Sequence, residues 1–198
     1  MTTTPLSPTG PATDKEWENA VKAWLSELGM GLVQRNEPTF VFAKGRWLPV
    51  KHGTGWPDYT LITVAGAPSH YVECKRMCGD NIILGSAADN GGVTDGQAER
   101  MDALEAMGHR CWIALRWEPP DKVRAKAAQV ALDGSRVPLP YAVQLLIPWR
   151  AWGALRAAAE GARAGAGKVQ ASIGADHLLR IGVPIRSAGE LRAALEAP

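Results

Sequence analysis

No run of about 18 apolar residues occurs anywhere in this 198-residue chain, which excludes an ordinary membrane-spanning helix. The opening residues, MTTTPLSPTGPATD, have neither the basic start nor the apolar stretch of a secretion signal, and a disordered leader is expected over 1–13. Cysteine is scarce and odd in number: Cys74, Cys78 and Cys111. Reduced thiols in a cytoplasmic protein are the expectation, and the spacing of Cys74, Cys78 and any histidine matches no common zinc pattern. A strong charge of either sign is also missing. The net charge is +2, so bulk charge points to no partner. There is no internal repeat.

What remains is an ordinary globular composition, 46% hydrophobic and 21% charged, in a length that suits one well-buried core. A single domain over 14–198 is expected. Its charge is unevenly spread. AKGRWLPVKHG, residues 43–53, carries Lys44, Arg46, Lys51 and His52 around Trp47 with no acid among them. Such a segment suits a phosphate backbone, and it equally suits a solvated hairpin.

Residues 13–28 read as the first helix. Thr13 and Glu16 stand in capping-box register, Gly29 follows the last periodic residue, and Trp17, Val21, Trp24, Leu25 and Leu28 form the apolar stripe. Short β-like runs follow near 31–35 and 39–43, then the basic loop, then strands near 58–64 and 70–75 joined by AGAPS. Residues 77–93 are glycine-rich and expected to be a loop over one sheet face. A second helix is predicted from Thr94 to Met107 with Gly108 as its stop, then a strand over 110–117. Residues 118–140 read as an exposed excursion with one helical turn, 141–147 as a strand, and 149–168 as a helix that dissolves into glycine. A short helix in GADHLLRIG and a terminal one over 187–197, capped by Ser187 and Glu190, complete the chain. This order implies an α/β fold, a mixed sheet flanked by helices.

The segment GWPDYTLITVAGAPSHYVECKR, 55–76, carries the chemistry. Side chains alternate across a strand, so Tyr71, Glu73 and Lys75 share one face and Val72 and Cys74 the other. Asp58 opens the preceding strand of the same hairpin, within reach of that patch. Two close carboxylates resist ionisation unless a cation lies between them. Lys75 supplies part of that charge, and a hard divalent ion such as Mg²⁺ would supply the rest. A plain cross-strand salt bridge on an open sheet face is the structural alternative. Glu18 lies at the edge of the first helix's apolar stripe, placed to lean toward the sheet. Gln97, three residues after Thr94, has the place of a capping-box glutamine, yet it also begins the stripe Gln97, Met101, Leu104 that faces the core.

A helix glutamate, then proline-aspartate, then acid-x-lysine, then a helix glutamine resembles the PD-(D/E)xK nuclease superfamily, and within it Holliday junction resolvases of the archaeal Hjc and RecU types. The resemblance runs through EWENAVKAWLSELGMGLVQR, GTGWPDYTLI, YVECKR, DGQAERMDALEAMGHRCWIALRW, YAVQLLIPWRAW and VQASIGADHLLRIGVPI, and so covers roughly 14–186. The chain departs from it in two places. Trp56 stands where the RecU type carries a threonine near the metal site, and the segment about 36–55, matching that type's long stalk, is abbreviated. The GxPD…ExK…Q pattern is also similar to VRR-NUC nucleases.

The resemblance implies a restriction-endonuclease-like core and Mg²⁺-dependent phosphodiester hydrolysis, with Mn²⁺ able to substitute. It implies that Asp58 and Glu73 hold the metal directly and that Glu18 assists through a water or a second ion. Lys75 would orient the attacking water or stabilise charge at phosphorus, and Gln97 would position water or phosphate at the metal. Lys44, Arg46, Trp47, Lys51 and Arg76 would contact DNA. Symmetric cutting of a four-way junction implies a homodimer. Three readings follow: a junction resolvase, a nuclease of the same fold acting on flaps or linear duplex, and an inactive nuclease-fold DNA-binding protein in which Glu73 and Lys75 simply pair.

Overall fold

The computed structural model describes residues 13–36, 40–43, 46–49, 56–63, 67–80, 82–84, 92–126, 129–130, 136–137, 140–161, 172–173 and 179–197. Residues 1–12 of the expected leader lie outside that set, as do Lys44 and Lys51. For Arg46 and Trp47 only the backbone is described.

Helix α1 runs Asp14–Glu27 and starts as its sequence dictates. Thr13 accepts from the Glu16 backbone through its hydroxyl, and the Glu16 carboxylate accepts from the Thr13 N–H at 2.6 Å. Gly29, at φ +63°, takes the left-handed position beyond the last turn, which a side chain would disfavour. Strands β1 (Gly31–Arg35), β4 (Tyr59–Thr63), β5 (His70–Cys78), β7 (Arg110–Glu118), β10 (Val143–Pro148) and β12 (Val183–Pro184) form one six-stranded sheet in the order β1-β4-β5-β7-β10-β12. Among the described residues, β5 and β7 are the one parallel pair of this sheet. A parallel pair needs a crossover, and helix α2 (Asp95–Ala106) provides it. Helices α3 (Asp121–Lys126), α4 (Trp149–Gly161) and α5 (Ala188–Glu196) flank the sheet, and residues 179–181 are helical as well.

The sheet is buried on both faces because β7 alternates two apolar sets. Cys111, Ile113, Leu115 and Trp117 join Met101 and Leu104 of α2 and Trp149 and Trp152 of α4. Trp112 and Ala114 join Trp17, Val21 and Leu25 of α1 and Leu191 and Leu195 of α5. Trp17 is fully buried and donates from its indole to the Ala114 carbonyl at 2.9 Å, tying α1 to the sheet centre. The mixed sheet flanked by helices is thus the one that the element order implied.

In three segments the structure refines the expectation. Of the two readings of 43–53, the hairpin is the one found: strand β3 (Arg46–Pro49) pairs with β2 (Phe40–Ala43) as a separate two-stranded ladder. The 77–93 loop is not continuous, since β5 runs on to Cys78, and β6 (Ile82–Ile83) pairs with β11 (Ser172–Ile173). The 118–140 excursion holds α3 and a two-residue ladder of β8 (Gln129–Val130) with β9 (Arg136–Val137). Backbone polar groups that leave the main sheet still need partners, and local pairing supplies them where periodicity gives no warning.

Candidate active site

The site exists because two neighbouring strands differ in length. Nine-residue β5 pairs with β7 along its whole course, but β4 reaches only to Tyr59, opposite Val72. Beyond Val72 the β4-facing edge of β5 has lost its ladder partner. Asp58, the residue just before β4, fills the gap: its carboxylate accepts from the Cys74 N–H at 2.7 Å. A side chain therefore does here what a strand carbonyl would otherwise do. Asn36, just past β1, pins the same turn, donating to the Pro57 carbonyl at 2.7 Å and to the Thr60 hydroxyl at 2.9 Å.

Behind Asp58 lies a cavity of about 270 Å³ whose lining includes Glu18, Asp58, Glu73, Lys75, Arg76 and Gln97. All five residues predicted to be catalytic line it, together with Arg76. Glu73 is 1% exposed. Its Oε1 lies 2.7 Å from Lys75 Nζ and accepts from Gln97 Nε2 at 2.5 Å, while Lys75 donates to Gln97 Oε1 at 3.3 Å. Gln97 also caps α2, for its Oε1 accepts from the Thr94 N–H at 3.0 Å. The capping role and the site role, alternatives in the sequence, are carried by one amide.

Glu73 Oε2, in contrast, is buried with no hydrogen-bond partner. A buried carboxylate oxygen left unsatisfied is costly, and a proton or a bound cation would relieve it. The electrostatics agree. Burial, then the nearby Asp58 charge, push the Glu73 carboxyl up to about 7 against the pull of Lys75. Burial raises Asp58 too, opposed first by its bond from the Cys74 N–H. Glu18 is raised by burial and by Asp58, with Arg35 opposing. Three acids are therefore held above their ordinary range around one space.

Several arrangements were not foreseen. Glu18 is not free: its carboxylate takes Arg35 Nη2 at 3.0 Å. Asp14 also lines the cavity and lies 3.4 Å from Arg76. Arg76 is held by Glu118, at 2.9 Å through Nη2 and 3.3 Å through Nε. Glu118 in turn accepts from Arg116 Nε at 2.8 Å, and the Arg116 side chain is fully buried. Nothing in spacing betrays this chain of charges, although the alternation Arg116, Glu118 continues the α1-facing side of β7. Cys74 and Cys111 are buried free thiols and Cys78 is an exposed one.

Among the described residues, no three His, Cys, Asp or Glu side chains form a group that could hold a metal ion by themselves. Asp58 and Glu73 both line the cavity, and Glu18 there is turned toward Arg35.

Glu73 makes stability depend on pH with a definite sign. Its ordinary value is 4.5 and its folded value about 7, so between these the native state holds the extra proton. Its contribution is fully present below pH 4.5 and is lost as pH rises through about 7. In metal-free buffer, urea unfolding at pH 5 and pH 8 should show the wild type losing on the order of 3 kcal/mol relative to Glu73→Gln. A constant difference between the two proteins would show that Glu73 is ionised throughout.

No protein-family model matches this sequence, and no curated protein matches it. Among solved structures, the chain is similar to Hjc of Archaeoglobus fulgidus, a Holliday junction resolvase from an archaeal hyperthermophile. The two are 14% identical with a TM-score of 0.43, over 87% of this chain and 96% of that one.

Proposed function

We propose that this protein is a metal-dependent endodeoxyribonuclease of the restriction-endonuclease-like class that cuts branched DNA, four-way junctions foremost. The observation that carries the reading is Glu73: a buried carboxylate with one oxygen unsatisfied, beside Asp58, on a strand that also presents Lys75 into the same cavity. The PD…ExK…Q pattern in the sequence supports the same chemistry.

The residues fit a divalent cation in kind. Mg²⁺ is commonly held by one or two carboxylates, with waters and substrate phosphate completing its shell, so a pair rather than a closed triad suits it. Asp58 and Glu73 would hold it, and Mn²⁺ would substitute. When bound, the metal supplies charge to the scissile phosphate and lowers the pKa of water. The chain's own groups do the rest. Lys75, fixed by Glu73 and Gln97, presents an ammonium to the charge that develops at phosphorus. Gln97 holds Lys75 and Glu73 in register, and Arg76, braced by Glu118, meets a neighbouring phosphate. Cutting two strands of a junction symmetrically calls for two such sites, hence a homodimer.

One observation favours a second reading, a DNA-binding protein without activity: the 2.7 Å Glu73–Lys75 pair already neutralises part of the site. Incubation with Mg²⁺ and a four-way junction, beside a linear duplex of the same sequence, separates the readings. Preferential junction cutting is expected. Equal cutting of both points to a duplex or flap nuclease, and junction-selective binding without any cutting points to the inactive protein. Mg²⁺ should also raise the melting temperature at pH 8 far more than at pH 5, where Glu73 carries its proton; an equal rise at both would place the ion elsewhere.

A further inference from the structure

Beside the cavity stands a row of four side chains with no part in the chemistry above. Trp56, 40% exposed, directly precedes the buried Pro57 and then Asp58. The Arg100 guanidinium lies 4.7 Å from the centre of its indole ring. Inward, Tyr71 is 6.2 Å from Trp56 with the rings tilted by 36°, and His109 meets Tyr71 edge-on at 5.4 Å. The row is built from the same elements as the cavity. Tyr71 is two residues before Glu73, about 7 Å along β5. Arg100 is three residues after Gln97, about 4.5 Å along α2. Tyr71 lies against the indole and His109 against Tyr71, so the Trp56–Arg100 pair is supported from the protein side. Among the described residues Arg100 makes no ion pair, which leaves its charge available over that ring.

A guanidinium lying over an indole presents a flat cationic surface, which matches a nucleobase and its phosphate. In continuous duplex both faces of every base are covered by neighbours, so only an unstacked nucleotide can use such a platform. We infer that Trp56 and Arg100 form a stacking site for one unpaired or unstacked nucleobase next to the scissile phosphate. This rests on the nuclease reading of the adjacent cavity and deepens it: the preferred substrate has a disrupted base stack within about one nucleotide of the cut, as at a branch point.

The test is a coupling measurement on the full chain in EDTA, which suspends metal-dependent cutting. A fluorescent four-way junction carries a single abasic nucleotide, stepped through each position around the branch, and binding is read by anisotropy. At one position, loss of the base should weaken wild-type binding about tenfold. Trp56→Ala should bind the intact junction about tenfold more weakly and be indifferent to the abasic site there. Trp56→Phe should keep the sensitivity, and Arg100→Gln should reduce it. Should Trp56→Ala fail to fold, Trp56→Leu, which keeps apolar bulk without a π face, serves the same comparison. Equal abasic effects in wild type and variant at every position would overturn the inference, as would unchanged junction binding by the variant. The same wild-type protein is assayed for cutting in Mg²⁺. Cutting without coupling removes the stacking site alone; coupling without cutting removes the nuclease reading and leaves the stacking site; no DNA binding removes both.

Discussion

Replacing Asp58 by asparagine is expected to lower Mg²⁺-dependent cleavage by about 10²- to 10³-fold or more, with the folded protein at least as stable as wild type at pH 8. The two halves of that result come from separate properties of one carboxylate. Asparagine keeps an oxygen where Asp58 Oδ2 accepts from the Cys74 N–H, so the gap at the end of β4 stays closed. What is lost is a charge, and that charge is one reason the Glu73 carboxyl sits at about 7. Removing it relieves repulsion in the metal-free site and, on the proposed function, would deprive a cation of half its carboxylate pair. Low activity joined to unchanged or higher stability is what a residue serving chemistry at the expense of folding produces. Lys75→Ala should be equally inactive with the opposite stability signature. It removes the ammonium 2.7 Å from Glu73, so the protein should be markedly less stable at pH 8 and much less affected at pH 5. Cleavage assays with urea unfolding at the two pH values check both variants. Near-normal turnover in either would remove these residues from the active site, and identical pH behaviour would undo the electrostatic account.

Arg116→Ala is expected to destabilise the protein by about 3–5 kcal/mol, a fall of roughly 10 °C or more in melting temperature. Arg116 sits on β7 with its side chain fully buried, donating to Glu118 at 2.8 Å. Across the β7–β10 pair stands Gln144, whose amide, in the orientation that satisfies both ends, accepts from Arg116 Nη1 at 2.7 Å and donates to the Ile185 carbonyl at 3.0 Å. Truncation leaves Glu118 with less compensation in a buried position and opens space beneath α1. Arg116→Lys keeps the charge but not the planar fork and should fall between wild type and alanine. Because Glu118 also braces Arg76 at the cavity, DNA affinity should fall along with stability. Thermal unfolding and junction binding measured on the same preparations would show this. A loss under 1 kcal/mol would mean that the network is replaceable by water.

The parts of the site that lie on one element could be read from the chain. The α1 capping box, the alternation placing Glu73 and Lys75 on one face of β5, and the start of α2 at Thr94 all depend on neighbours a few residues away, and such signals survive in a single sequence. Gln97 shows the limit. Its spacing from Thr94 and its place on the core-facing stripe were visible, but they read as alternatives, because only the approach of α2 to β5 lets one amide satisfy both. Glu18 shows it from the other side: its helical position leaned toward the sheet as expected, yet Arg35, seventeen residues on, takes its carboxylate. Trp56 read as a departure from a pattern, and only the fold brings Arg100 and Tyr71 against its ring.

By itself the sequence determined the order of the main helices and of strands β1, β4, β5, β7 and β10, the α/β class and the types of residue available for chemistry, because hydrophobic period, caps and turn residues act over short range. Only the tertiary structure decided that β4 ends where β5 continues, that Asp58 closes the resulting gap, and that Arg116 and Glu118 are buried behind Arg76. Those outcomes depend on which strands become neighbours and in what register. That choice is made by the burial of both sheet faces at once, a sum over the whole chain that no local stretch contains.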